Sequence, residues 1–253
     1  MRLSYKAEMR LVTIQSTAVK SVCEVLKEIL NDVNVYFTSA GVSIVTLDTA
    51  RTSLVDLQLS ADNFEEYECP EEGGVIAGIN IANTFKLLKS ITNNDILTIS
   101  ITSKEFMNIE ILSEAKKTKS KFQLKLLDID EHRIEVPKLK CACMTTMQSV
   151  DFQRICRDMA NIGSDMAIAR HKNLMTLTCE GDFANQETII ETVEDVSESI
   201  SGVFSLKYLN IFTKATGMCA SVQLLQESQF LILQYNVANL GQLKFYLATK
   251  SMV

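Results

Sequence analysis

Tryptophan is absent from this chain, proline and histidine occur twice each, and nine glycines are spread over 253 residues. So little proline and glycine excludes a collagen-like or linker-dominated chain, and 47% hydrophobic against 22% charged residues excludes a disordered one. No apolar run approaches the ~18 residues of a membrane-spanning helix. Arg2, Lys6 and Arg10 interrupt any signal-peptide core in Met1 to Leu11, so the chain is expected inside the cell with no membrane partner. Catalytic signatures are missing too: there is no GxGxxG, P-loop or GxSxG. The two histidines, His132 and His171, fall in stretches that read as exposed connections. Seven cysteines (Cys23, Cys69, Cys141, Cys143, Cys156, Cys179, Cys219) form no CxxC pair and read as buried thiols in a reducing compartment. Neither a metal, a cofactor nor an enzyme is implied.

What is present is a repeat. Val19, Val22, Cys23, Leu26, Ile29 and Leu30 recur at helical spacing, which predicts an amphipathic helix over Ala18 to Leu30 with Ser16 or Thr17 able to cap its start. Short β-branched segments follow at Val33 to Thr38, Val42 to Asp48 and Ser53 to Ser60, with the turn Ser39-Ala40-Gly41 between the first two. After the acidic, turn-rich stretch Asp62 to Gly74 come a strand at Val75 to Asn80 and a helix at Ala82 to Ser90. Strands at Ile96 to Thr102, Phe106 to Leu112 and Ser120 to Leu127 follow.

The same order then returns: strand Cys141 to Met147, helix Asp151 to Ile162, and strands Met166 to Arg170, Leu174 to Glu180 and Glu187 to Val193. Strand Ser201 to Ser205, helix Leu206 to Ala215 and strands Ala220 to Gln226, Phe230 to Val237 and Gly241 to Leu247 complete it. Two copies of helix, meander, helix, meander predict an α+β chain of two tandem similar domains, each with two helices packed on antiparallel sheets. The expected divisions are 1–125, a connector at 126–140, and 141–253. In the connector Ile129, Ile134 and Val136 alternate with acidic residues, as in a segment lying across a domain surface.

A formal net charge of −6 argues against an anionic partner until its distribution is considered. Lys20 and Lys27 stand seven apart on the first helix, almost one above the other at about 100° per residue. Lys86 and Lys89 lie on the second, Arg154 and Arg157 on the third, and Lys207 and Lys214 on the fourth. Lysine and arginine favour helix surfaces in any protein, but recurrence in all four helices of an acidic chain is a pattern. If these helices share a side, that side is positive and carries no aromatic stacking residues, so it suits phosphate contact without sequence reading.

Five separated stretches now resemble one family. They are Phe152-Gln153-Arg154-Ile155-Cys156-Arg157-Asp158 with Ile162-Gly163, Lys125-Leu126-Leu127-Asp128-Ile129-Asp130, and Tyr208-Leu209-Asn210-Ile211-Phe212-Thr213-Lys214-Ala215-Thr216. The others are Leu240-Gly241-Gln242-Leu243-Lys244-Phe245-Tyr246-Leu247-Ala248, and Ser39-Ala40-Gly41-Val42 with Leu47-Asp48. Over about Ala7 to Lys250 the chain resembles the proliferating cell nuclear antigen family, the eukaryotic-type DNA sliding clamps. The resemblance implies the DNA clamp fold, with subunits closing head to tail, usually as a homotrimer, into a ring around duplex DNA. The eight basic positions above would then face the channel as loose, salt-sensitive phosphate contacts. It implies no catalysis.

The resemblance also implies a pocket for short partner motifs with aromatic anchors at Leu47, Arg51, Leu54, Ile134, Val136, Pro137, Phe230, Tyr246, Ala248 and Thr249. Expected partners are replication and repair proteins (polymerase, flap nuclease, ligase) and an ATP-driven clamp loader, in the nucleus or at a viral replication site. Thr249 and Phe230 stand where the family usually has proline, and Arg51 where histidine is common. The implied subunit joint pairs Lys117 to Leu124, including Lys119, Lys121 and Phe122, with Phe183 to Ile190, including Glu187. Glu191, Glu194 and Asp195 add negative charge to the second side. Lys172 matches a lysine that carries ubiquitin-like modification in many members. A subunit of a heterotrimeric checkpoint-type clamp is the alternative reading, and a thiol-dependent enzyme a distant one.

Overall fold

The computed structural model describes residues 9–70, 73–130, 134, 136, 143–227 and 229–250, without the side chains at 194, 195, 197 and 198. Pro137, Cys141 and His132 therefore lie outside the described residues, as do the side chains of Glu194 and Asp195. The chain divides into two units. Met1–Thr46, Asp56–Ile134 and Asn236–Leu243 make the first, and Leu47–Val55, Glu135–Tyr235 and Lys244–Val253 the second.

The first stretch of chain runs β1 (Met9–Thr13), α1 (Ser16–Leu26), β2 (Asp32–Thr38), β3 (Gly41–Leu47), β4 (Ser53–Ser60), β5 (Glu66–Glu68), β6 (Val75–Asn80), α2 (Ile81–Leu88), β7 (Ile96–Ile101), β8 (Phe106–Ser113) and β9 (Thr118–Lys125). Strands β5-β1-β7-β8-β9 form one sheet, and β4-β3-β2-β6 follow one another in a second. Alternation on β8 buries Met107, Ile109 and Ile111, and the stripe on α1 buries Val22, Cys23 and Leu26. Side chains of both sheets and both helices meet there around an apolar cavity of about 80 Å³, walled by Leu26, Phe37, Leu57, Leu88 and Ile109 among others. Gly41 turns β2 into β3 at φ 136°, and a Cβ on it would stand 2.0 Å from the Leu59 carbonyl oxygen, so no other residue fits.

The structure departs from the sequence expectation at two points here. Neither Ser16 nor Thr17 caps α1: its N-cap residue is Gln15, without a side-chain cap, and the buried Ser16 hydroxyl donates instead to the Asp95 carbonyl at 2.6 Å. A side-chain cap does form at α2, where the Asn80 side chain accepts from the Asn83 amide at 2.9 Å. Within the turn-rich acidic stretch, Glu66–Glu68 is a strand paired with β1, and Arg10 meets Glu66 at 3.1 Å. Its Glu-Tyr-Glu composition gives no strand signal, because pairing and not propensity forms it.

The second stretch runs β10 (Cys143–Gln148), α3 (Ser149–Ala160), β11 (Asp165–Glu180), β12 (Asn185–Ser205), α4 (Leu206–Phe212) with a 3-10 turn at Thr213–Gly217, β13 (Ser221–Gln226), β14 (Phe230–Val237) and β15 (Gly241–Ala248). Strands β10-β13-β14-β15 are neighbours in that order, and β11 pairs with β12 as a long antiparallel hairpin. Four short strands were expected in that hairpin. The polar run His171-Lys172-Asn173 reads as a turn, but the ladder crosses it through register shifts on either side of Lys172, whose φ is 51°. Lys172 is therefore an exposed bulge residue inside a strand, not a turn lysine. The core of this unit centres on Phe245, stacked on Phe212 at 4.5 Å between ring centroids and met edge-on by Tyr235 at 6.4 Å.

Candidate nucleic-acid interface and partner surface

In each unit the two helices pack on one another, α1 with α2 and α3 with α4. Between α3 and α4 the contact is fixed by polar bonds: Gln153 Nε2 donates to the Thr213 carbonyl at 2.8 Å, and Asn210 Nδ2 to the Cys156 carbonyl at 3.2 Å. Each helix pair therefore presents one outer surface, with its apolar stripe turned to the core.

The eight basic positions are not equivalent. Lys86, Lys89, Arg154, Arg157, Lys207 and Lys214 are exposed. Lys20 is half-buried and its Nζ donates to the Ile91 carbonyl at 2.8 Å, which ties its charge to the end of α2. Lys27 is the C-cap residue of α1, pairs with Glu28 at 2.9 Å and lies 5.0 Å from the centre of the Phe85 ring. Arg154 meets Asp151 at 3.4 Å and Arg157 meets Asp158 at 3.8 Å. Both are exposed pairs, worth ~0.2–1 kcal/mol each, so a phosphate displaces the carboxylate at small cost. Spacing alone could not rank these eight; the distinction depends on the carbonyls and carboxylates within reach.

Among the positions expected to line a partner pocket, Leu54 and Tyr246 are 7% and 6% exposed and belong to the core of the second unit, which corrects the expectation of an open lining there. Burial is continuous over Ser53–Leu57 of β4 and Phe245–Leu247 of β15, so it extends to both faces of each strand and takes in these two side chains. Leu47, Val136, Phe230 and Thr249 are half-exposed in that unit, Arg51 and Ala248 are exposed, and Ile134 is half-exposed at the end of the first. Thr249 donates its amide to the Gln229 carbonyl at 2.9 Å, a bond that proline could not make.

Asp48, which the sequence reading noted only as part of a motif, organises the loop beside these residues. Its Oδ1 accepts from the amides of Thr52 at 2.8 Å and Ser53 at 2.7 Å. Its Oδ2 accepts from the Ala50 amide at 3.1 Å and from the Tyr208 hydroxyl at 3.0 Å. Burial alone would raise this carboxyl, but the Ser53, Tyr208, Thr52 and Ala50 donors outweigh it and hold it below the usual aspartate range. A carboxyl depressed in the folded state adds stability that is complete above its unfolded value, near ~3.9, and is lost as pH falls through the folded value. Thermal unfolding followed from pH 6 to pH 3 is expected to show this acid limb, and Asp48→Asn should flatten it; an unchanged limb would contradict the assignment.

At the expected subunit joint, β9 is an edge strand. Lys119 and Lys121 already meet Glu110 of the same chain, at 2.5 and 3.4 Å, so part of their charge is spent within the subunit. Lys117 occupies the turn before β9 at φ 51°, and Phe122 is half-buried. Opposite in character, Phe183 is 77% exposed in the turn before β12, and Ile189 is 58% exposed on the face that also carries the exposed Glu187. The pair Ile189-Ile190 could have marked this site in the sequence, since strand alternation forces one of two adjacent isoleucines outward.

Among the described residues no cluster of His, Cys, Asp or Glu could hold a metal. Burial pushes the Cys23 thiol up to about 12 and raises Cys156 and Cys179 as well, so these sulfurs are poor nucleophiles. No described helix is long and apolar enough to cross a membrane.

Two α+β units, each a helix pair on antiparallel sheets, with exposed basic residues on or just after α2, α3 and α4, have the architecture of the DNA-clamp class of protein. The chain belongs to the proliferating cell nuclear antigen family. The N-terminal domain of that family matches residues 7–133 and its C-terminal domain residues 135–250. The chain is 38% identical over 249 residues to the "Probable DNA polymerase sliding clamp 1" of Paramecium bursaria Chlorella virus 1, which covers 93% of this chain and 94% of that one. It resembles the crystal structure of proliferating cellular nuclear antigen from Entamoeba histolytica with a TM-score of 0.89 at 26% identity, covering 97% of this chain and 100% of the other. It is a DNA sliding clamp, a replication protein of a non-catalytic family whose members oligomerise and act with DNA and polymerase.

Proposed function

We propose that three copies of this chain close head to tail into a ring that encircles duplex DNA and tethers a polymerase to it. Exposed basic residues on or just after α2, α3 and α4 carry the reading, because positive charge recurring on the helix pairs of an acidic chain suits phosphate contact. Lys86, Lys89, Arg154, Arg157, Lys207 and Lys214 make the phosphate contacts, with Lys20 and Lys27 as weaker contributors. Leu47, Arg51, Phe230, Ala248 and Thr249, with Ile134, Val136 and Pro137, receive the aromatic anchors of polymerase, flap nuclease and ligase motifs over the buried floor of Leu54 and Tyr246.

The joint is more apolar than the charge pattern of the sequence implies. Phe183 and Ile189 pack against the β9 edge and Phe122 of the next subunit, while Lys117, Lys119, Lys121 and Glu187 supply its polar rim. A closed ring has no route onto DNA without ends, so an ATP-driven loader opens it. The viral relative supports a viral replication site as the place of action, with the nucleus as the alternative. Native mass by light scattering tests the assembly: three subunits are expected across a concentration series, and a monomer throughout would mean that other subunits complete the ring.

A further inference from the structure

The loop between β3 and β4 is held in an unusual way. Its backbone folds on itself, with the Arg51 amide donating to the Asp48 carbonyl and the Asp48 amide to the Ser53 carbonyl, both at 2.9 Å. Its Ala50 and Thr52 amides, with that of Ser53 at the start of β4, converge on the Asp48 carboxylate. All of these bonds are local and set the shape of the loop between its two strands. The bond from Tyr208 is different, because it reaches Asp48 from 160 residues along the chain and belongs to α4.

That anchor is rigid. Leu206 and Leu209, on either side of Tyr208, are buried, and its ring lies 6.2 Å from Phe212, which stacks on Phe245. Arg51 gives an independent sign that the loop is constrained. Its φ of 55° is left-handed, a conformation that a non-glycine residue keeps only where its surroundings hold it.

We propose that the Tyr208 hydroxyl is a positioning group: through Asp48 it fixes the Thr49–Thr52 loop on α4 and so presents Arg51 in a preset conformation to a partner peptide. This rests on reading that loop as the rim of the partner pocket. The helix that offers Lys207 to DNA on its exposed side thereby supports the partner rim through the next residue in sequence. Preorganisation of this kind raises affinity by removing an ordering cost that the free loop would otherwise incur on binding.

Tyr208→Phe tests it, since the ring stays on Phe212 and only the hydroxyl is lost. Hydrogen exchange at the Ala50, Thr52 and Ser53 amides is expected to quicken about tenfold. Affinity for a labelled synthetic peptide with two adjacent aromatic anchors should fall about three- to tenfold. In an Asp48→Asn background the same substitution should have a smaller effect on both readouts, with the remainder carried by the contact of the Tyr208 hydroxyl with the Thr52 side chain. Unchanged exchange overturns the proposal, and so does faster exchange with peptide affinity intact. Failure of the wild-type protein to bind the peptide at all would instead overturn the pocket reading on which it rests, a result separable from the other two.

Discussion

Phe183→Asp is expected to drop the native mass from three subunits to one while leaving the folded subunit intact. The side chain is 77% exposed, so it packs little within its own chain and its replacement should barely shift thermal unfolding. In the proposed ring the ring face is covered at every joint. Burying a phenylalanine contributes about 1.5–3 kcal/mol, and an unpaired carboxylate in its place adds a desolvation cost of several kcal/mol. Both losses are repeated three times around a closed ring, and head-to-tail joints form or fail together. Reversing Lys119 and Lys121 to Glu should also weaken the assembly, but less cleanly. Those residues sit against Glu110, so reversal sets like charges together inside the subunit before any joint forms. A Phe183→Asp protein that still runs at three subunits would remove the β9–β12 joint from the account.

Replacing Arg154, Arg157, Lys207 and Lys214 together with alanine should abolish measurable DNA affinity at physiological salt. Non-specific affinity for duplex DNA is governed by released counterions, and each phosphate contact contributes about −0.9 to the log–log salt slope. The four side chains are exposed on helices that Gln153 and Asn210 bind into one surface, so their loss should lower the slope without disturbing the core. Lys20→Ala is the informative contrast. Its ammonium is engaged by the Ile91 carbonyl, so it should change the slope little and stability more. Equal salt slopes for the wild-type and fourfold variants would place the DNA contacts elsewhere.

The sequence carried the architecture because the architecture is repetitive. Helical stripes such as Val22, Cys23 and Leu26, and alternation such as Met107, Ile109 and Ile111, fix which faces are buried before any tertiary contact is known. It failed where pairing overrides composition. Glu66–Glu68 becomes a strand only because β1 lies beside it, and the polar run at Lys172 is carried through a ladder whose neighbouring pairs are strong enough to tolerate a bulge.

The basic helix faces were legible because charge at helical spacing is a one-dimensional signal. The role of Asp48 was not, since three of its donors are backbone amides that any sequence possesses and the fourth comes from a distant helix. The division of the expected pocket positions into buried and exposed side chains was hidden for the same reason. Leu54 and Leu47 are the same residue type, and only their places in the fold separate them, Leu54 buried inside β4 and Leu47 half-exposed at the end of β3.

Encirclement itself is tested most directly by a loader-free threading measurement. Labelled duplex DNA is offered with both ends open, or with both ends blocked by a bulky protein before the clamp is added. The account predicts that clamp threaded at high concentration onto the open duplex is retained once both ends are blocked afterwards, is lost rapidly while an end stays open, and hardly associates when both ends are closed beforehand. Equal binding to open and blocked duplexes would mean that the basic helices grip DNA from one side, and the ring would be contradicted.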